Sequence, residues 1–160
     1  MRKVFFSFHF DRDIKRIGQI RNAWLCTPQH EAQPFLDKAQ WESIKRQGER
    51  AIKNWIDTQM RGTSVTVVLI GAETYKRPWV HYEIEQSKAL GKGLLGICMY
   101  GMKDLTGSID PKGASPFDHC EATKPRTLLS PSYPVYNWVN DNGRQNFSNW
   151  IEQAARAARR

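Results

Sequence analysis

Residues Thr63–Ile70 read TSVTVVLI, a run with β-branched or apolar side chains at almost every position and no charge. A strand that alternates apolar with polar has one wet face; this one does not alternate, so it predicts a central strand buried on both faces, as in a parallel sheet. The elements on either side fit that frame. After Gly71 comes a loop, then Pro78 at the first position of a predicted helix that runs to about Leu90 and stops at Gly91 and Gly93. Leu94–Met99, LLGICM, is a second buried strand. Upstream, Trp41, Ile44, Gly48, Ala51, Ile52, Trp55, Ile56 and Met60 mark one amphipathic helix of about five turns, with Gly62 placed to end it.

The N-terminal run Arg2–Phe8 predicts a first buried strand. A helix follows, capped by Asp11 or Asp13, with Ile14, Ile17, Ile20, Trp24 and Leu25 along one stripe. Near the C-terminus, Tyr133–Val139 predicts a last strand, Asp141-Asn142-Gly143 a turn, and Asn146–Ala158 a terminal helix. Strands thus alternate with helices, which requires an α/β architecture: a mainly parallel sheet with helices on both faces. Residues 1–160 read as a single domain, interrupted by an irregular excursion around 100–134 that is rich in Gly, Pro, Ser and Lys.

Composition narrows the function classes. The longest apolar runs fall short of the roughly 18 residues a membrane span needs, and the opening MRKVFFSFHF is too short and too soon broken by His9, Asp11 and Arg12 for a signal peptide. Cys26, Cys98 and Cys120 form no CxxC and cannot all pair, as expected of a reduced, cytoplasmic setting. His9, His30, His81 and His119 have no metal-ligand spacing, and the adjacent His119 and Cys120 do not aim at one target. The net charge of +8 would attract phosphate groups, but the basic residues are scattered and not interleaved with aromatics. That argues against a nucleic-acid platform.

The stretch RPWVHYEIEQSKALGKG, Arg77–Gly93, holds two glutamates, Glu83 and Glu85. At about 100° per residue, Val80, Ile84 and Ser87 form the face packed on the sheet. Glu83 then lies about 60° from that stripe, at the rim of the core, and Glu85 about 140° away, in solvent. In an open parallel sheet, ligands bind beyond the carboxyl ends of the strands. The first turns of this helix open onto that crevice, and the first strand delivers Ser7, Phe8 and His9 to the same edge. A carboxylate, a hydroxyl, a ring and an imidazole are expected to converge there. On composition alone, Glu83 also reads as an acid favoured by the helix dipole.

The segment Trp79-Val80-His81-Tyr82-Glu83 resembles the W-x-x-x-E element of TIR domains, and Val4-Phe5-Phe6-Ser7-Phe8 resembles their opening strand. A closer similarity is to the TIR-like proteins of bacterial Thoeris anti-phage defence. It rests on VFFSFH (Val4–His9), SVTVVLIG (Ser64–Gly71), WVHYEIEQS (Trp79–Ser87) and SPSYPVYNWVNDNG (Ser130–Gly143). The resemblance implies a flavodoxin-like three-layer fold and a catalytic Glu83 that cleaves NAD between nicotinamide and ribose. It also implies a cyclic or modified ADP-ribose product acting as a diffusible signal to a downstream effector.

NAD is then substrate, with no further cofactor. By position, Phe8 would stack on a ring, Ser7 or His9 would contact ribose or phosphate, and Trp79 belongs to the same substrate-binding set. Assembly into a homo-oligomer on activation belongs to the same expectation. Two departures stand out: His9-Phe10 occupy the place of the basic residues common after the first strand, and Gln33–Gln40 leaves little room for a Gly-rich loop after a rudimentary second strand.

Other readings compete. A TIR-like adaptor would bind partners through exposed Trp or Tyr and catalyse nothing. A flavin or Rossmann site lacks its sequence, since HFDRD after the first strand is not a phosphate cradle and no GxGxxG is present. A phospho-acceptor regulator would want an aspartate where Ile70-Gly71 stands.

Overall fold

The computed structural model describes residues 2–34, 36–117 and 133–160. Five parallel strands form one sheet in the order β2-β1-β3-β4-β5, the arrangement of flavodoxin-like folds. In chain order the elements are β1 (Arg2–Ser7), α1 (Phe10–Leu25), β2 (His30–Ala32), α2 (Lys38–Arg46), α3 (Glu49–Met60), β3 (Val65–Ile70), α4 (Pro78–Ala89), β4 (Gly93–Cys98), β5 (Val135–Asn137) and α5 (Gly143–Ala157). A single 3-10 turn, Thr74–Lys76, leads into α4. The expected α/β class and the alternation of elements are therefore present. None of the helices among the described residues is long and apolar enough to cross a membrane.

The two-residue period of each strand decides what each helix layer meets. Val4 and Phe6, Val65, Val67 and Leu69, and Leu95 and Ile97 point to one face, where Ile17, Ile20 and Trp24 of α1 and Phe147, Trp150 and Ile151 of α5 cover them. On the opposite face, Val68, Ile70 and Leu94 pack on Val80 and Ile84 of α4, and Phe5 packs on Ile52, Ile56 and Met60 of α3. Each fully buried aliphatic or aromatic side chain removes enough apolar surface to contribute about 1.5–3 kcal/mol. Ser7 falls on the same face as Phe5, so the only hydroxyl at the end of β1 is turned toward α3 and α4.

Several sequence expectations are corrected. The long helix through Trp41 and Met60 is two helices, because Gly48 adopts φ +99, a conformation an L side chain rarely takes, and so ends the run between α2 and α3. Asp37 caps α2 through a capping box with Gln40. Neither Asp11 nor Asp13 caps α1: His9 stands at the cap without a side-chain bond, and Asp13 is buried one turn inside the helix. Strand β5 is only three residues long, and α5 begins at Gly143, absorbing part of the predicted turn. The described part of the excursion contains a small bridge between Lys103 and Ile109; its remainder, including His119 and Cys120, lies outside the described residues.

Strand β2 is the shortest possible partner for β1. It pairs only with Arg2–Val4, which would leave the next edge groups of β1 bare. Gln33 fills the gap: its carboxamide accepts from the Phe6 N–H at 2.9 Å and donates to the Phe6 carbonyl at 2.7 Å. One side-chain amide thus continues the ladder by one rung. Beyond it the edge of β1 is unoccupied by strand, and a hollow opens.

Candidate active site

The hollow spans about 590 Å³ of open space including its mouth. It straddles the β1 edge, so Phe5 and Phe6 line it from opposite faces of the sheet. The aromatic wall continues through Phe8, Phe10, Trp41, Trp55 and Trp79. Phe8 and Phe10 stack with centroids 5.9 Å apart, and Phe10 and Trp41 lie 5.6 Å apart. The polar groups reaching it are few: Glu83 from α4, Gln33, and Arg21 from α1, whose guanidinium donates to the Gln33 carbonyl at 3.1 Å.

Glu83 is 8% exposed, whereas the Glu85 side chain is 56% exposed and pairs with Lys88 at 3.2 Å. The helical spacing therefore separated the two carboxylates as expected. Ser7, fully buried at the end of β1, donates its hydroxyl hydrogen to Glu83 Oε2. One turn on, Ser87 donates to the Glu83 carbonyl at 2.7 Å, and its hydroxyl is hydrogen-bonded with that of Thr66 of β3 at 2.7 Å, tying this part of α4 to the sheet. Burial pushes the Glu83 carboxyl up to about 8, and the Ser7 hydrogen bond works against that rise by favouring the charged form. No cation is paired with Glu83 by an ion pair among the described residues. Arg21 and Glu83 are the charged residues that line this aromatic hollow among the described residues, and Glu83, when ionised, would favour a cation there.

Of the residues singled out in the sequence, Glu83, Phe8 and Trp79 line the hollow directly. Ser7 does not face it; its hydroxyl is committed to Glu83. His9 lies in an adjoining outer chamber of about 490 Å³, which shares Phe8, Phe10, Trp41 and Trp79 with the inner hollow. Burial, and then the charge of Arg77, lower the His9 pKa, which favours the neutral imidazole. Trp41, Trp55, Phe10 and Gln33 were not singled out. Trp41 and Trp55 satisfy a helical apolar stripe, so sequence alone assigns them to the core; only the break at Gly48 turns both toward the end of β1. Among the described residues no group of three or more His, Cys, Asp or Glu is placed to hold a metal ion.

The comparisons with known proteins bear on this site. Residues 5–104 match the family described as Thoeris protein ThsB, TIR-like domain. The chain belongs to that family. The match includes the end of β1, α1, α2, α3, β3 and α4, and hence every residue that lines the hollow. A relative from Bacillus cereus (strain MSX-D12) is 32% identical over 94% of this chain and 98% of its own length, and is named "Putative cyclic ADP-D-ribose synthase ThsB1". This TIR-like chain therefore aligns with that relative along nearly its whole length.

Proposed function

We propose that this TIR-like protein consumes NAD, breaking the bond between nicotinamide and ribose and closing the ADP-ribose portion into a cyclic product. The observation that carries the reading is the placement of Glu83: a buried carboxyl, in no ion pair among the described residues, in an aromatic hollow at the carboxyl end of the sheet. The family membership and the relative's name support the same substrate.

The chemistry follows from charge. In NAD the nicotinamide is a pyridinium, so it leaves as a neutral base and needs no general acid. The bond electrons go to the ring nitrogen, and positive charge develops on the ribose anomeric carbon, as in glycosyl transfer generally. Glu83, when ionised, accepts hydrogen bonds from the ribose hydroxyls and stabilises that charge, the more strongly because the hollow is apolar. The same walls hold water away from the cation, which favours capture by a nucleophile of the bound ADP-ribose itself over hydrolysis. The product is a small diffusible nucleotide suited to signal to a separate effector.

A purely adaptor role gives no reason to keep a carboxylate where burial raises its pKa so far. The test is product chromatography after incubation of purified protein with NAD, with and without an extract from infected cells to supply any trigger. Glu83→Gln should abolish nicotinamide release and leave the folded protein intact by circular dichroism, while Glu85→Gln should retain activity within about twofold. Equal loss in both variants, or full activity in Glu83→Gln, would reject the assignment.

A further inference from the structure

A dinucleotide has two charged phosphates between its halves, and the inner hollow offers them little: its walls are aromatic, and its charged lining residues are Glu83 and Arg21. The outer chamber differs. Beside the four aromatic residues it shares with the hollow, it is lined by His9, Asp11, Lys45, Arg77 and the first residues of α4. Two polar atoms there are buried with no hydrogen-bond partner, Arg77 Nε and His9 Nδ1. Arg77 has only a loose contact to Glu73, 3.6 Å from its Nη2, so its fork is not consumed by that acid. Lys45 is drawn toward the chamber by Asp11 at 3.8 Å and by the Trp41 ring, 5.9 Å from its centroid, while Glu42 holds it at 2.8 Å. Arg77 is also the residue immediately before Pro78, so it stands at the positive end of the α4 dipole, where first-turn N–H groups have no intrahelical acceptor.

We propose that this outer chamber is the phosphate subsite of the enzyme, with Arg77 anchoring the substrate's pyrophosphate and Lys45 supplying a second positive charge. The proposal rests on the NAD reading above and specifies how the substrate lies. The scissile ribose sits in the inner hollow against Glu83, and the chain of phosphates passes out over the Phe8–Phe10 stack to the cations at the mouth. An arginine suits this task because its planar fork meets two phosphate oxygens at once, and the free Nε–H supplies the second prong. Asp11 orients Lys45 and Glu73 orients Arg77, and the phosphates displace those long contacts on binding.

The inference separates substrates by their phosphates. For the unaltered protein, NAD and nicotinamide riboside share the scissile bond, but only NAD carries pyrophosphate. Arg77→Gln should lower the ratio of kcat/KM for NAD to that for nicotinamide riboside by roughly ten- to a hundredfold, the size of a lost charge-assisted hydrogen bond. Most of that loss should lie in KM. Lys45→Met should lower the ratio less, by about three- to tenfold, and Arg77→Lys should recover part of it. Inorganic pyrophosphate should compete with NAD in the unaltered protein and not in Arg77→Gln.

Calorimetric binding of ADP-ribose to Glu83→Gln, compared with the same protein also carrying Arg77→Gln, isolates the subsite from the chemistry. If the unaltered protein cleaves neither substrate, the catalytic reading fails while this comparison still decides the subsite. An unchanged ratio in Arg77→Gln, an equal fall for both substrates, or ADP-ribose binding indifferent to Arg77 would overturn the proposal.

Discussion

The protonation of Glu83 should be readable in the pH dependence of turnover. Its carboxyl is pushed up to about 8 by burial, so at pH 7 roughly a tenth of the molecules carry the charge that the proposed reaction needs. Because kcat/KM reports the free enzyme, it should climb about tenfold per pH unit below pH 8 and level off above 9. The value at pH 7 would then be about one tenth of the plateau. Once NAD is bound, its cationic nicotinamide ring favours the ionised carboxylate, so kcat should turn at a lower pH than kcat/KM. Ser7 offers an independent handle. Its hydroxyl is the one group whose hydrogen bond lowers the Glu83 pKa, so Ser7→Ala should move the kcat/KM inflection upward and reduce activity at pH 7 most. Ser7→Thr, which keeps the hydroxyl, should restore the profile. The assay is nicotinamide release at fixed ionic strength from pH 5.5 to 9.5, with initial rates at sub-saturating and saturating NAD. A flat kcat/KM profile, an inflection near the ordinary glutamate value, or a downward shift in Ser7→Ala would refute the reasoning.

Two further outcomes concern stability. Asp13 is buried, and Gly71 is so close that a Cβ there would stand 2.3 Å from Oδ2. Burial first, and then the nearby Asp110, raise its pKa from 3.8 to about 6 against the opposing pull of Arg12 and Arg16. An acid whose folded pKa is raised destabilises as it ionises. Stability should therefore fall as pH rises from about 4 through 6, by at most about 3 kcal/mol, and Asp13→Asn should remove that loss in urea melts at pH 8 compared with pH 4.5. Gln33→Ala would strand the Phe6 N–H and carbonyl at the edge of β1, costing about 2 kcal/mol and lowering Tm by roughly 4–8 °C. A shift under about 1 °C would show that water replaces the carboxamide without penalty.

How much of this was written in the sequence depends on the kind of signal. Strands β1, β3 and β4 are covered on both faces, so each reads as an unbroken apolar run, and the α/β class follows from their order. Helical spacing was enough to bury Glu83 and expose Glu85, because α4 is regular from Pro78 onward and has one sheet-facing stripe. The misses arise where a local rule has two solutions. Gly48 fits a helical stripe by spacing, but its backbone leaves the helix. Asp13 fits a cap by residue type, but the helix starts earlier, at Phe10, and carries that side chain inward to Gly71. Strand β2 is three residues long, too short for any period to be seen, and so the hollow that its brevity creates was invisible as well. Trp41 and Trp55 could not be told from core, since an aromatic that walls a ligand site obeys the same pattern as one that fills an interior. His9 and Ser7 were placed at the right edge of the sheet, but the alternation of side chains sends Ser7 to Glu83 and leaves His9 at the outer chamber.

The Gln33 clasp has a consequence for how this family of sites can vary. Where neighbouring strands zip together along a backbone, changing the length of the connecting segment shifts every later pairing. Here the rim of the cavity is fastened to β1 by one carboxamide, so the peptide after it can lengthen, shorten or swing without disturbing the register of the sheet. The same amide denies an incoming chain the bare ladder on which it would otherwise add as an extra strand. The entrance to the buried Glu83 carboxyl is thereby free to diversify while the framework beneath it stays fixed.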